Sequence, residues 1–181
     1  MIISPQKAYS KKYITNLLDP AKQVGSDGID LTIHSIARLD MTDDAVLSET
    51  KTINKHRNRE GIPTTTDVGG HAFFVLSEGV YDMTFNEGCN LPKGIAAMLL
   101  LRSSLARNGC QLASGLYDAG FVTSNAGALL HVRGGGKIRI ERNVRVAQII
   151  LIKSDTHKLY NGQYNNQTGL NWLKSWTSNR E

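Results

Sequence analysis

No long hydrophobic run is present in this sequence of 181 residues. The longest apolar stretch, Ile95–Leu101, has only the length of a strand, whereas a membrane-spanning helix needs about 20 apolar residues. The first residues, MIISPQKAYSKK, also lack the apolar core and small-residue cleavage site of a signal peptide. We therefore expect a protein that neither spans a membrane nor carries a secretory signal.

Cysteine is almost absent as well. Two cysteines, Cys89 and Cys110, are too few for a disulfide framework or for a four-cysteine metal site. A bridge between the two remains open, but unpaired core or surface thiols are the better interpretation. We expect a protein of the reducing cytoplasm.

The charge is moderately basic, with a net charge of +5 and an isoelectric point near 9.3. Such a balance favours acidic partners such as nucleotides or nucleic acids, although ordinary solubility explains it equally well. The basic residues are scattered, and no basic stripe interleaved with aromatic residues is present. We therefore expect no direct binding of nucleic acid.

A single N-terminal helix is predicted. Ser4 and Pro5 form a good helix start, and apolar residues then recur at helical spacing as far as Leu18. Asp19-Pro20 is predicted to end this helix.

Short strands and turns account for most of the remaining chain. Alternating apolar residues predict a half-buried strand in GIDLTIHSIARL, and further strands follow in HAFFVLSEGVYDMTF, IAAMLLL, GALLHV, KIRIE and VRVAQIILIK. Residues 41–70 are polar and weakly patterned, which predicts a long excursion with at most short strands. The pattern favours an all-β, mainly antiparallel barrel or sandwich. We expect one domain over residues 1–160 and a C-terminal arm over residues 161–181.

One segment, RSSLARNGCQLASGLYDAGF at residues 102–121, carries the residues best suited to chemistry. Its Arg-Ser-Ser start offers charged and neutral donors that suit phosphate oxygens. Its Gly-Leu-Tyr-Asp-Ala-Gly part predicts a tight hairpin that presents the carboxylate of Asp118. Donors for phosphate beside a fixed carboxylate point to chemistry on a nucleotide.

Several motifs together resemble the dUTPase and dCTP deaminase superfamily. The MIIS start with its helix and the RSSLAR segment resemble the deaminase branch in particular. The motifs occur in the family's order: GIDL at 28–31, LPKGIAAMLLLRSSLARNG at 91–109, GLYDAGF at 115–121, VRVAQIIL at 144–151, and the tail YNGQYNNQTG at 160–169. The resemblance implies a distorted β-barrel of the dUTPase type, assembled as a homotrimer with active sites between subunits.

The resemblance also implies catalytic and phosphate-binding roles. Asp118 would activate a water molecule for in-line attack on the α-phosphorus of dUTP, which yields dUMP and pyrophosphate. The triphosphate would be bound by Arg102, Ser103, Ser104 and Arg107. The structural alternatives are an aspartate that only supports its turn and serines that only cap a helix.

Base and sugar recognition would fall to the segment around Asp118. Backbone groups of Gly115, Leu116 and Tyr117 would read uracil, and Phe121 would lie under the deoxyribose. For Tyr117 and Phe121, a plain position in the hydrophobic core is the competing interpretation.

A metal ion and the C-terminal arm complete the implied site. Asp30 and Gln148 would help to hold hydrated Mg²⁺ through water, although a strand-edge acid and a buried amide are equally good interpretations. Gln148 would also contact substrate. Tyr164 and Gln167 would close over the triphosphate as part of the arm, and Gln163 stands where the family pattern has lysine.

The same resemblance bears on the choice between hydrolysis and deamination. Family deaminases carry a glutamate base on the strand after the hairpin, and here that position falls on Leu130, next to His131. Because leucine cannot move a proton, dUTP hydrolysis is the predicted activity. Deamination of dCTP, alone or beside hydrolysis, stays open through His131 or an acid from another segment, as does a non-catalytic nucleotide-binding regulator. Neither the exact base preference nor the role of residues 41–70 follows from the sequence.

Overall fold

The computed structural model describes residues 1–50, 55–162 and 165. Its short helices are α1 (Pro5–Ser10), α2 (Pro20–Gln23) and α3 (Ser103–Ala106). Its strands are β1 (Ile14–Thr15), β2 (Ile29–Leu39), β3 (Arg59–Gly61), β4 (Thr65–Thr66), β5 (Ala72–Leu76), β6 (Gly79–Phe85), β7 (Gly88–Asn90), β8 (Ile95–Leu101), β9 (Cys110–Ala113), β10 (Val122–Thr123), β11 (Gly127–Val132), β12 (Ile138–Glu141) and β13 (Arg145–Lys153).

A seven-stranded antiparallel sheet dominates the fold. Six strands follow the order β8-β13-β2-β6-β11-β9, and β3 pairs with the far end of β2. This sheet curls into a nearly closed barrel, and two three-stranded sheets, β1-β7-β10 and β12-β5-β4, accompany it. The predicted all-β, mainly antiparallel barrel is therefore confirmed.

Strand β6 shows how alternation separates the core from the opposite face of the sheet. Tyr81, Met83 and Phe85 are fully buried in the hydrophobic core. Since successive side chains of a strand point to opposite faces, Asp82 and Thr84 lie on the other face. This second face carries the site described below.

The predicted N-terminal helix is wrong beyond Ser10. Lys12 and Asn16 both adopt positive φ angles, 56° and 61°, which interrupt a right-handed helix. Ile14 instead pairs with Cys89 of β7. Asp19-Pro20 begins α2 rather than ending a helix, because the Asp19 side chain accepts a hydrogen bond from the Lys22 amide.

Residues 41–70 form the predicted excursion with short strands. Within its described part, Val46 and Lys55 form an isolated bridge, and β3 and β4 are its named strands. Strand β3 returns the excursion to the barrel by pairing Leu39 with Arg59.

Cys89 and Cys110 are free and buried. Burial raises the pKa of the Cys89 thiol to about 12. None of the helices in the described residues is long and apolar enough to cross a bilayer.

Gly88 is required by the packing of the small β1-β7-β10 sheet. A Cβ atom at this position would collide with the carbonyl oxygens of Thr123 and Ser124, which belong to the backbone and cannot rotate away. We expect Gly88→Ala to lower the free energy of unfolding by roughly 1–3 kcal/mol. Gly135→Ala is the control, because a Cβ there meets no atom within 4 Å. Equal urea midpoints for the two variants would contradict this expectation.

Candidate functional site

A cavity of about 570 Å³ opens on the face of the sheet that carries Asp82 and Thr84. Its volume lies in the range of small-molecule sites. Strands β6 and β11 form its floor, and Arg59 of β3 borders it. Five residues predicted for the site line this cavity: Gly115, Leu116, Tyr117, Asp118 and Phe121.

Residues 114–121, here called the Asp118 loop, form one wall. The predicted tight hairpin is wrong, because β9 pairs with β11 whereas β10 pairs with β7. The loop instead crosses between two sheets. Its main chain is fixed by Tyr117, whose N–H and C=O exchange hydrogen bonds of 2.9 and 2.8 Å with Ala97 of β8. Those two groups are therefore occupied, whereas Gly115 and Leu116, also predicted to read the base, are exposed.

Aromatic side chains support this wall. The Tyr117 and Phe121 ring centroids are 5.1 Å apart, and Tyr160 packs edge-on against Phe121 at 5.4 Å. The Tyr117 hydroxyl donates to the Gly127 carbonyl at 2.7 Å and accepts from the Gly127 amide at 3.0 Å. Burial raises the pKa of this hydroxyl, so it stays protonated. The tyrosine thus ties the loop to β11.

Asp118 is exposed and lines the cavity. Its carbonyl accepts a hydrogen bond from Phe121 at 3.1 Å, which closes a turn after the carboxylate. No described residue forms a salt bridge or side-chain hydrogen bond with its carboxylate. The group is thus available to a ligand or to water.

Asp82 and Arg59 form a pair that the sequence motifs did not indicate. Arg59 Nε donates to Asp82 Oδ2 at 2.7 Å, and both side chains border the cavity while being mostly buried. Burial raises the pKa of Asp82 to about 6, and the charge and hydrogen bond of Arg59 oppose that rise. The signal in the sequence was an acid at an outward position of a strand whose alternate residues, Tyr81, Met83 and Phe85, are large and hydrophobic.

Strand β11 places its two leucines on opposite faces. Leu130, the position predicted to replace the family's glutamate, is fully buried in the core. Leu129 lines the cavity instead and pairs directly with Asp82 of β6. His131 lies two residues further along the strand and is not part of the cavity lining. Asp82 of β6 is thus an acid from another segment of the chain that borders the cavity, directly beside Leu129.

A second polar cluster lies where β2, β13 and β8 meet. Asp30 Oδ2 is 3.1 Å from Arg145 Nη1 and 3.7 Å from Arg102 Nε, and Gln148 Nε2 donates to Oδ1 at 3.4 Å. Gly28 makes room for this arrangement, since a Cβ there would stand 2.6 Å from Gln148 Cγ. The GIDL and VAQ motifs are thereby explained as two halves of one cluster.

These contacts favour a positioning role for Asp30. Two guanidinium groups beside a carboxylate repel a further cation, so Asp30 does not fit as a direct Mg²⁺ ligand. Within the part of the chain described, no group of three or more His, Cys, Asp or Glu side chains is arranged to hold a metal. Water-mediated roles for Asp30 and Gln148 stay predictions.

The predicted phosphate-binding residues are not brought to the cavity. Ser103, Ser104 and Arg107 are exposed on α3 and at its end, and Arg102 belongs to the Asp30 cluster. None of these four lines the cavity of its own chain. Tyr164 and Gln167, predicted for the arm, lie outside the described residues.

Together, the fold and the site define an antiparallel β-barrel with a ligand-sized cavity beside an exposed carboxylate. Residues 5–154 match the family model described as dCTP deaminase-like, and the chain belongs to this family.

Two relatives share the name of a dUTP hydrolase. A protein from Halobacterium salinarum, named probable deoxyuridine 5′-triphosphate nucleotidohydrolase, is 28% identical over 151 residues, 80% of this chain and 84% of that protein. A protein of the same name from Aeropyrum pernix is 34% identical over 91 residues, 49% of this chain and 57% of that protein.

A solved structure shows the same fold. The 2′-deoxycytidine 5′-triphosphate deaminase of Agrobacterium tumefaciens superposes with a TM-score of 0.59 at 18% identity. The match covers 84% of this chain and 48% of that chain, so the present chain spans about half of its length.

The raised pKa of Asp82 predicts a pH dependence of stability. The folded protein holds a proton on this carboxyl up to about pH 6, whereas the unfolded chain releases it near pH 4. Its contribution to the free energy of unfolding is therefore largest below pH 4 and is lost as the pH rises through 6. Relative to Asp82→Asn, the wild type should gain up to roughly 3 kcal/mol between pH 7.5 and pH 4.

Urea unfolding of both proteins at the two pH values measures this difference, because the other titrating groups are common to both. Glu60→Gln, an exposed neighbour on β3, should keep the pH dependence of the wild type. A stability difference between wild type and Asp82→Asn that does not change with pH would refute the assignment.

Proposed function

We propose that this protein hydrolyses dUTP to dUMP and pyrophosphate, with Asp118 as the general base. The observation that carries the proposal is the unpaired carboxylate of Asp118 on a main chain fixed beside a ligand-sized cavity. Relatives named as dUTP nucleotidohydrolases support the choice of substrate. Such an enzyme keeps uracil out of DNA and supplies a precursor of thymidylate.

In the proposed reaction, Asp118 accepts a proton from a water molecule positioned for in-line attack. The water oxygen forms a bond to the α-phosphorus, and the bond from that phosphorus to the α,β-bridging oxygen breaks. Pyrophosphate leaves with the electron pair, and the proton on Asp118 returns to solvent. Cationic groups around the phosphates stabilise the charge that spreads over their oxygens.

The cationic groups would come from a neighbouring subunit of a homotrimer. The residues predicted to bind phosphate do not line the cavity of the same chain, which supports sites shared between subunits. Asp30 and Gln148 would hold Arg102 and Arg145 in place. The arm, through Tyr164 and Gln167, would then cover the triphosphate.

Mg²⁺ would enter with the substrate. A triphosphate binds this ion with its own oxygens and leaves several waters on it, so a cage of protein ligands is not required. Both cysteines are free thiols, which fits a reducing compartment such as the cytoplasm.

Asp118→Asn tests the proposal. We expect pyrophosphate release from dUTP to fall by roughly 10²–10⁴-fold, because an amide cannot accept the proton of the water, while nucleotide binding is largely retained. Pyrophosphate and ammonia are measured across the common deoxynucleoside triphosphates. Asp155→Asn, an exposed acid outside the cavity, should keep the wild-type rate.

Two outcomes of the same assay would replace the proposal. Ammonia release from dCTP without pyrophosphate would identify a deaminase. Tight nucleotide binding by the wild type without either product would favour the regulatory binding protein.

Mixed trimers test whether sites are shared. Asp118→Asn and the double variant Ser103→Ala/Ser104→Ala should each be weakly active alone. If one subunit supplies Asp118 and its neighbour supplies the serines, co-assembly should restore about one quarter of the sites. Activity that stays at the level of the separate variants would show that each site belongs to one chain.

A further inference from the structure

We propose that Asp82, held in place by Arg59, accepts a hydrogen bond from a ring N–H of the bound base and thereby selects uracil over cytosine. This inference rests on the proposed function and names a specificity-determining residue of that site. It also gives a role to residues 41–70, since Arg59 belongs to that excursion.

Asp82 is placed to face the base by the strand pairing. It stands directly opposite Ala37 on β2 and Leu129 on β11, on the same face as the cavity. Leu129 is apolar, and Ala37 ends at its methyl group. Asp82 is therefore the acceptor side chain of this row, and it is the charged side chain that β6 and β11 contribute to the cavity lining.

One carboxylate oxygen is used inside the protein and the other is not. Oδ2 accepts the hydrogen bond from Arg59 Nε, and no other described residue contributes a hydrogen bond to this carboxylate. Every fully buried side-chain oxygen and nitrogen in the described part of the chain has a hydrogen-bond partner. Oδ1 consequently keeps its access to the cavity, where a ligand can donate to it.

Arg59 acts as a positioning residue. Its Nη1 also donates to the Arg57 carbonyl at 3.4 Å, and the pairing of β3 with β2 fixes its backbone. Its charge keeps Asp82 ionised near neutral pH although burial raises the pKa of that carboxyl. An ionised Oδ1 is an acceptor only.

A lone acceptor discriminates between the two pyrimidines. Uracil carries a hydrogen on ring nitrogen N3, whereas N3 of cytosine is itself an acceptor. An ionised carboxylate opposite N3 would attract the first and repel the second. A hydrogen bond to a charged group contributes more than one between neutral groups, so the effect on affinity should be large.

The experiment measures the affinities of dUMP, dCMP and N3-methyl-dUMP by calorimetry for the wild type and Asp82→Asn. Arg59 Nε can only donate, so the side-chain oxygen of the asparagine should turn towards Arg59 and take the place of Oδ2. Its NH₂ group then faces the base and meets uracil N3–H as donor against donor. We expect dUMP affinity to fall roughly tenfold to a hundredfold and the preference for dUMP over dCMP to shrink or invert.

N3-methylation supplies the second comparison. In the wild type the methyl group should cost affinity, and in Asp82→Asn that cost should be clearly smaller, because the partner of N3–H is already lost. Glu60→Gln is the matched control: it also turns an acid into an amide, one residue after Arg59, but on an exposed side chain. It should preserve all three affinities.

A double variant tests the inference without leaving a buried charge that could prevent folding. Arg59→Met/Asp82→Leu removes both charges together and leaves no unpaired buried ion. It should bind dUMP and dCMP with similar affinity. Unchanged base preference in this variant, or in Asp82→Asn, would overturn the inference.

The inference and the proposed function can fail separately. Altered base preference in a protein that releases no pyrophosphate would leave the inference standing alone. Pyrophosphate release with unchanged preference would leave only the proposed function. Ammonia release from dCTP that disappears in Asp82→Asn would overturn the binding role and make Asp82 a proton-transfer group.

Discussion

The two main-chain hydrogen bonds between Tyr117 and Ala97 hold the Asp118 loop at the edge of the cavity. The loop crosses between two sheets, because β9 and β10 pair with different partners. The bridge to β8 fixes the loop next to Asp118, the Tyr117 hydroxyl adds an attachment to Gly127, and the Gly120 amide donates to the Leu91 carbonyl at 2.8 Å. A carboxylate carried by such a fixed loop loses little conformational entropy when it engages a water molecule.

Two aspartates show how a barrel can keep acids out of bulk water. Asp30 receives contacts from Arg102, Arg145 and Gln148, whereas Asp82 receives one hydrogen bond, from Arg59. Burying a charge is costly unless it is paired, so both have guanidinium partners. The two carboxylates differ in the oxygens left without a protein partner. Both oxygens of Asp30 are in contact with protein groups, whereas Asp82 Oδ1 is left to face the cavity. The first arrangement suits structure, and the second suits recognition.

Local patterns predicted most of the fold and only part of the site. Alternation located the long strands, because side-chain periodicity is a property of each strand alone. The helix to Leu18 was wrong because positive φ angles at Lys12 and Asn16 leave no apolar signature. The hairpin was wrong because strand partners are chosen by distant residues. The role of Asp82 could not be predicted for the same reason, because Arg59 reaches it only through the pairing of β3 with β2.

This dependence links the excursion to the cavity through Arg59, which lines the cavity and contacts Asp82. Closing a long loop costs little more entropy than closing a short one, so the barrel tolerates the insertion while β3 anchors its end. The anchored end carries Arg59, and without that arginine Asp82 would be a buried carboxylate with no partner. Its proton would then be retained at neutral pH, and the cavity would present a donor in place of an acceptor. The polarity of the cavity floor is thus set by a residue more than twenty positions away in the sequence, through one hydrogen bond of 2.7 Å.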